Sequence, residues 1–303
     1  MSDQQSTSGG SGSFLELDID MRSEGFTAPE RELMLAWYRD NHESGDSDLS
    51  KFPEFTIEHD GGGFKGYRRH IATIDRQIDG MALPQAAHLL MFLYAYILLG
   101  YEKGIVYIAI NARRLGASRG EVLDVVRAAT PAAGPFGLNA AAELLDDYLR
   151  EWPEDGEEPG LEWPQGWGPE PEALRSGIDR TVDELLPGEL EMLEDWYGKV
   201  YGEVPSHVGR LARLHPVGLK TQRLRFERAG GETLPIQMVP LCMLGYAAWR
   251  GKAKPMLRAA QLARSLGVGR THVIGILFWA GIYGDDAILE PAFDVLGELI
   301  DEW

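Results

Sequence analysis

Two side chains suited to proton transfer, a histidine and a tyrosine, lie in and just after one apolar segment. His88 lies within ALPQAAHLLMFLYAYILL, residues 82–99, and Tyr101 follows that segment. An imidazole exchanges protons near neutral pH, so His88 is the first candidate for a general acid or base. The alternative is a structural histidine whose ring bonds a backbone carbonyl. His70, within GYRRHIAT, is a further candidate catalytic residue.

Charged and aromatic residues that could bind a substrate cluster after two glycines, Gly100 and Gly251. A lysine follows each glycine at the same distance, where a helix is expected to begin. Helix N-termini attract anions, so these lysines could hold a carboxylate; the alternative is that they are simply solvated. The predicted substrate-binding residues are Arg69, Glu102, Lys103, Trp249, Lys252 and Lys254.

The chain carries one sequence pattern twice. A shift of 151 positions places Leu83-Pro84 on Leu234-Pro235, Gly100 on Gly251, and ARRLGAS (112–118) on ARSLGVG (263–269). The alignment runs without a gap, which favours a duplicated unit over coincidence. A weaker match upstream, MLAWY (34–38) with MLEDWY (192–197), has a different offset and indicates loops of unequal length.

The periodicity within each copy is helical. In the first copy, apolar residues recur at three- and four-residue spacing over 86–99, 105–115, 119–128 and 138–149. The sequence therefore predicts an all-α protein of two homologous bundles related by a pseudo-twofold axis, in contact through helices that begin at Gly104 and Pro255. The expected organisation is a disordered tail (1–25), a first domain (26–150), an acidic linker rich in Pro and Trp (151–180) and a second domain (181–303).

Together these features resemble the carboxymuconolactone decarboxylase and alkylhydroperoxidase-D superfamily. The shared features are the Leu-Pro start, the apolar helix that ends at a glycine, and the small-residue helix that ends as ARRLGAS or ARSLGVG. The resemblance covers about residues 60–149 and 210–300. It implies that each copy is an alkylhydroperoxidase-D-like bundle, that the tandem chain corresponds to a fused dimer, and that a homo-oligomer is possible.

The reactive groups of that superfamily are missing from this chain. Its peroxidase branch carries Cys-x-x-Cys and, four residues later, a histidine, because a helix N-terminus lowers a thiol pKa and a second thiol resolves the oxidised first. The matching positions are Tyr101, Gly104 and Ile108 in the first copy and Lys252, Pro255 and Ala259 in the second. Thiol chemistry is therefore excluded. Members of that superfamily usually carry a glutamate in the helix that contains His88 here. The resemblance therefore implies that His88 takes over the proton transfer of that glutamate.

The net charge and the cysteine content limit the partners and the cellular location that we expect. The net charge of −18 repels nucleic acid and anionic lipid, so we expect neither nucleic acid nor membrane as a partner. One cysteine, Cys242, forms no intramolecular disulfide, and the polar N-terminus has no signal-peptide pattern, so a cytoplasmic location is expected. No histidine pair has metal-ligand spacing, and we predict neither a metal nor another cofactor.

The leading functional hypothesis is a cofactor-independent enzyme like carboxymuconolactone decarboxylase. As a lyase or isomerase, it would act by proton transfer on a small organic acid or lactone, through decarboxylation, isomerisation or elimination. The alternative is a catalytically inactive member of the superfamily that serves as a binding or assembly protein. An enzyme should bury convergent polar groups near Tyr101 and His88, whereas a scaffold should fill that space with apolar side chains.

The replacement Cys242→Ala tests the absence of thiol chemistry. Cys242 lies in the apolar segment MVPLCMLGYAA, where a thiol stays protonated and unreactive. We expect the variant to keep its circular dichroism spectrum and any activity of the parent chain. Loss of activity in a correctly folded variant contradicts this prediction.

Overall fold

The computed structural model describes residues 17–42, 51–77, 83–84, 86–152 and 160–303. These residues form thirteen α-helices and no β-strand, which confirms the predicted all-α class. Among these helices, none combines the length and the apolar character needed to cross a lipid bilayer. The chain divides into two compact units, Met1–Arg76 and Gln77–Trp303.

The first unit contains three helices, α1 (Ala28–His42), α2 (Lys51–His59) and α3 (Gly61–Gln77). Its small core consists of Ile19, Met34, Ile57 and Phe64. Residues 17–25, which the sequence analysis assigns to the tail, are bound to α3 by the buried Lys65. The Lys65 ammonium donates to the carbonyls of Asp20 at 2.7 Å and Gly25 at 2.6 Å. The rest of the predicted tail, residues 1–16, lies outside the described residues.

The second unit contains the remaining ten helices. They are α4 (Ala87–Leu99), α5 (Glu102–Arg114), α6 (Arg119–Glu151), α7 (Glu189–Tyr201), α8 (Ser206–Leu214), α9 (Pro216–Phe226), α10 (Met238–Trp249), α11 (Ala253–Ser265), α12 (Arg270–Gly281) and α13 (Asp286–Asp301). The two helices predicted over 119–128 and 138–149 are parts of one kinked helix, α6. Its kink lies at Gly134, where φ is 65°, between Pro131 and Pro135.

The backbone repeats with the same 151-residue shift as the sequence. The bounds of α5 and α11 coincide after the shift, since 102 and 253 differ by 151, as do 114 and 265. The glycines that end α4 and α10 both adopt left-handed φ values, 61° at Gly100 and 59° at Gly251. Even the kink recurs, because Gly134 corresponds to Asp285, whose φ is 48°. The order of the helices after position 86 is therefore the same as after position 237, with a break in place of the kink.

The two copies meet through α4 and α10. In each copy the first helix also packs on the helices that follow it, α4 on α5 and α6, and α10 on α11, α12 and α13. They approach closely at Gly245, where an added Cβ would collide with the sulfur of Met91. The prediction that the copies pack through the helices starting at Gly104 and Pro255 is therefore wrong. The apolar helices that precede them form the contact.

The weaker upstream match in the sequence has a counterpart in the helices. Helices α2 and α8 have identical bounds after a shift of 155, and α9 begins 155 residues after α3. Lys220 of α9 corresponds to Lys65 and is also fully buried. Its ammonium contacts both carboxylate oxygens of Glu189, at 3.0 and 2.9 Å, and the Glu184 carbonyl at 2.7 Å. In the first unit Lys65 likewise pairs with a glutamate of the preceding α1, Glu30, at 3.5 Å.

An arginine on two aromatic rings accompanies each buried lysine. In the first unit the Arg68 guanidinium lies 4.6 Å from the ring centre of Trp37 and 5.1 Å from that of Tyr38. In the second unit Arg223 lies 3.6 Å from Trp196 and 5.4 Å from the adjacent Tyr197. A planar guanidinium stacks well on an aromatic face. The same Lys, Arg and Trp-Tyr set is thus built once in each unit.

Replacement of Lys220 by Met tests the buried pair. Burial alone would raise the pKa of Glu189, but hydrogen bonds from Lys220, Leu186 and Asp179 outweigh burial and hold the pKa below 4.5. Lys220→Met keeps the apolar stem and leaves the buried carboxylate without its cation, which should lower the free energy of unfolding by about 3 kcal/mol. Urea denaturation measures this loss. The stabilisation should be present above pH 4.5 and disappear as the pH falls further.

Lys199→Met is the control, because Lys199 pairs with Asp195 at 2.6 Å on the exposed side of α7. An exposed pair contributes less than about 1 kcal/mol. Equal losses in the two variants contradict a structural role for the Lys220–Glu189 pair.

Candidate functional site

Helix α4 presents a row of three rings on one face. His88, Phe92 and Tyr96 follow each other at four-residue intervals, with ring centres 6.0 and 6.4 Å apart. The imidazole of His88 stacks flat on Trp279 of α12, at 3.7 Å and an interplanar angle of 2°. Phe92 meets the edge of Tyr283 at 4.9 Å. The row is therefore packed against residues of the other copy.

These rings belong to a larger aromatic cluster, which consists of His88, Phe92, Tyr96, Tyr101, Trp249, Trp279 and Tyr283. At its centre the hydroxyls of Tyr96 and Tyr283 lie 2.5 Å apart, in hydrogen-bond contact. Burial raises the pKa of Tyr96, although the hydrogen bond with Tyr283 opposes this shift. The phenol of Tyr96 is therefore protonated at neutral pH and can donate a hydrogen bond.

Aromatic rings fill the space over Gly104, the position that the sequence resemblance aligns with a second thiol. The rings of Tyr96 and Tyr101 meet edge to face at 5.1 Å, directly over Gly104. A Cβ added at Gly104 would lie within 3.0 Å of both rings, so the position cannot hold even a methyl group without rearrangement. The chain's one thiol, Cys242, is buried in α10, and burial raises its pKa to about 12. The expected location of Cys242 in an apolar helix is confirmed.

One predicted substrate-binding residue, Trp249, belongs to this cluster, and the charged ones follow Tyr101 or Trp249 in the sequence. Trp249, half-buried at the end of α10, stacks on Tyr283 at 4.5 Å and lies 5.9 Å from Tyr96. Tyr101 is 48% exposed and ends the cluster on the side of α5. Charged residues at the starts of α5 and α11 are all exposed; they are Glu102, Lys103, Lys252 and Lys254. The exposed Arg250 adds a further cation beside Trp249.

His88 and Tyr101 lie at opposite ends of the cluster. Phe92 and Tyr96 stand between them, and the eight residues from His88 to Tyr96 correspond to a helix rise of about 12 Å. The two predicted catalytic side chains therefore do not converge on one atom. The polar groups that do meet are the hydroxyls of Tyr96 and Tyr283.

The other two predicted site residues, His70 and Arg69, lie on α3. They belong to the first compact unit, whereas the whole aromatic cluster belongs to the second. Arg69 is exposed and His70 is half-buried. The Nε2 atom of His70 is shielded from solvent and has no hydrogen-bond partner among the described residues.

Only one of the two equivalent places in the duplicated structure is aromatic. The residues that correspond to His88, Phe92 and Tyr96 in the second copy are Val239, Met243 and Ala247. Those that correspond to Trp279 and Tyr283 in the first copy are Ala128 and Ala132. Sequence reasoning missed Tyr96, Trp279 and Tyr283. The available signal was a large ring at each position where the other copy carries alanine.

Comparisons with known proteins add no relative. No family model matches the chain, and neither a curated protein nor a solved structure shows significant similarity to it. Within the described ranges, no group of three or more His, Cys, Asp or Glu side chains is placed to hold a metal ion.

Gly104→Ala tests how tightly the rings close over α5. The added methyl group must displace Tyr96 and Tyr101, so we expect the free energy of unfolding to fall by about 1–3 kcal/mol. Gly297→Ala is the matched control, because Gly297 is also helical and has nothing within 4 Å of an added Cβ. There the higher helix propensity of alanine should leave stability unchanged or raise it. Thermal unfolding of both variants gives the comparison, and an unaltered Gly104→Ala protein contradicts the close packing.

Proposed function

We propose that the chain is a tandem member of the carboxymuconolactone decarboxylase and alkylhydroperoxidase-D superfamily whose copies are related by a pseudo-twofold axis. At an interface with twofold symmetry, a contact between residue i of one copy and residue j of the other occurs a second time with the two copies exchanged. Met91 lies against Gly245, and their equivalents are Cys242 and Tyr94. Burial raises the pKa of Tyr94, and the neighbouring Cys242 adds to this shift, so that second pair is close as well. The repeated helix bounds and φ values support the same relation.

We further propose that this member binds a small organic acid and does not transform it. The observation that carries this proposal is the filled site: two rings cover Gly104, and His88 lies flat against Trp279. A general acid or base needs its reacting nitrogen within hydrogen-bond reach of the substrate. Here the space between His88 and Tyr101 is taken by Phe92 and Tyr96, which is what a binding protein was expected to show.

Charge and exposure favour a small anionic ligand. The chain has a net charge of −18, yet four basic residues follow Tyr101 or Trp249 in the sequence, Lys103, Arg250, Lys252 and Lys254, against the acids Glu102, Asp285 and Asp286. Tyr101 and Tyr283 are 48% and 40% exposed, so their rings offer an apolar surface to a ligand. A carboxylate on an aromatic ring matches both features, since the ring packs on the tyrosines and the carboxylate pairs with a lysine.

The proton-transfer enzyme is the second candidate. One observation favours it, the contact between the hydroxyls of Tyr96 and Tyr283. A protonated phenol in a buried place can stabilise a developing enolate oxygen by hydrogen bonding. On this hypothesis Tyr96 is the donor and Tyr283 orients it.

Benzoate is the probe for the binding proposal. We expect the full-length chain to bind benzoate in calorimetry, and cyclohexanecarboxylate more weakly because it has no aromatic face. Tyr101→Ala should weaken benzoate binding about tenfold, the upper range for an aromatic contact. Phe136→Ala is the control, because Phe136 is an aromatic residue on α6 with 87% exposure and lies outside the cluster. No binding at millimolar benzoate, or equal losses in both variants, contradicts the proposal.

A separate assay distinguishes the enzyme. In deuterated water, a proton-transfer enzyme incorporates deuterium into substrates from a panel of unsaturated lactones and β-keto acids. If the chain turns over one of these substrates and the rate falls about a hundredfold in His88→Ala or Tyr283→Phe, the chain is an enzyme and the binding proposal is contradicted.

A further inference from the structure

A segment of the linker, residues 160–168, lies across both copies; we call it the strap. Near its start, the indole of Trp163 donates to the carboxylate of Glu121 at 2.7 Å, and the Leu161 amide donates to the same carboxylate at 3.2 Å. At its end, the Gly168 carbonyl accepts from the Ile236 amide at 3.0 Å. The earlier linker residues 153–159 lie outside the described residues.

The two ends of the strap rest on equivalent positions of the duplication. Glu121, near the start of α6, and His272, near the start of α12, differ by 151 positions. Glu121 is buried and well bonded, since it also accepts from the Ser118 amide at 2.7 Å. His272 instead meets the strap through the ring of Trp167, at 4.9 Å and a tilt of 55°. One end of the strap is therefore held by hydrogen bonds to a buried carboxylate, and the other by ring packing and one backbone hydrogen bond.

The imidazole nitrogens of His272 form no hydrogen bond with the described part of the chain. Both nitrogens are also shielded from solvent. Burial lowers the pKa of His272, and the Gly269 carbonyl opposes this only in part. The neighbouring segments offer the exposed Glu162 in the strap, Arg270 on α12 and the neutral Gln237 before α10, whose Oε1 also lacks a partner. None of these forms an ion pair or hydrogen bond with the ring.

We propose that the strap is an acid-sensitive clasp, in which protonation of His272 releases the Trp167 end while Glu121 retains the Trp163 end. A charged imidazole needs water or an acceptor, and movement of the Trp167 ring, which packs on the imidazole, would open it to water. Attraction between the cation and the Trp167 face opposes release, but it is weaker than the loss of hydration of a buried charge. The closed clasp is therefore favoured above pH 6.5 and loses stability as the pH falls below it.

Hydrogen exchange of two amides in the full-length chain tests the clasp. The Ile236 amide reports the Trp167 end and the Leu161 amide reports the Trp163 end. After correction for intrinsic exchange, lowering the pH from 7.5 to 5.5 should reduce protection of Ile236 by up to about tenfold, because 5.5 lies one unit below the ordinary histidine pKa of 6.5. Protection of Leu161 should persist. The amide of the core residue Leu93 monitors global unfolding and should not change.

His272→Phe keeps a ring against Trp167 and removes the titrating group. Its Ile236 protection should be equal at the two pH values, and His272→Leu provides a second non-titrating variant if the first is unstable. Equal Ile236 protection in the parent chain at both pH values overturns the proposal. An acid-induced loss that persists in both folded variants also overturns it.

Discussion

The close approach of α4 and α10 is the contact on which the functional geometry depends. Gly245 allows the sulfur of Met91 to reach the backbone of α10, which brings the two helices together. Because α12 packs on α10, this approach also places Trp279 and Tyr283 beside the ring row of α4. A bulkier residue at position 245 would separate the copies, and the hydroxyl contact between Tyr96 and Tyr283 depends on their distance.

The duplication preserves backbone constraints more strictly than side chains. The left-handed residues at 100 and 251 and at 116 and 267 are all glycines, because that conformation strains other residues. No such constraint acts on the exposed or interface faces of the helices. The same backbone therefore carries a cluster of rings where α4 meets α12 and small apolar residues at the equivalent place. The two copies therefore share a backbone arrangement, but only one of the two equivalent places carries an aromatic cluster.

The helices could be predicted because their signals lie within short stretches of sequence. The aromatic cluster could be predicted only in part, because it depends on contacts between residues far apart in the sequence. Helical periodicity and the helix-ending glycines predicted α4, α5 and α11 within a few residues. His88, Tyr101 and Trp249 were also found, since each stands out in its own segment. Trp279 and Tyr283 were missed because their importance comes from contact with α4, almost two hundred residues away in sequence. The left-handed Asp285 has no signal of its own and is recognisable only as the equivalent of Gly134.

The upstream repeat is weaker in the sequence for a different reason. Its helices follow offsets of 155 and 159 residues instead of 151, so a single shift does not align them. What persists is the buried lysine with its glutamate, and the arginine on its Trp-Tyr pair. A buried ammonium needs its carboxylate and carbonyl partners together, because removal of one partner leaves an uncompensated charge in the interior. Replacing these residues one at a time during evolution passes through a protein with such an unpaired charge, whereas the apolar neighbours can change one at a time. In the upstream part of the repeat, the glutamate, the lysine and the arginine are therefore identical in the two copies.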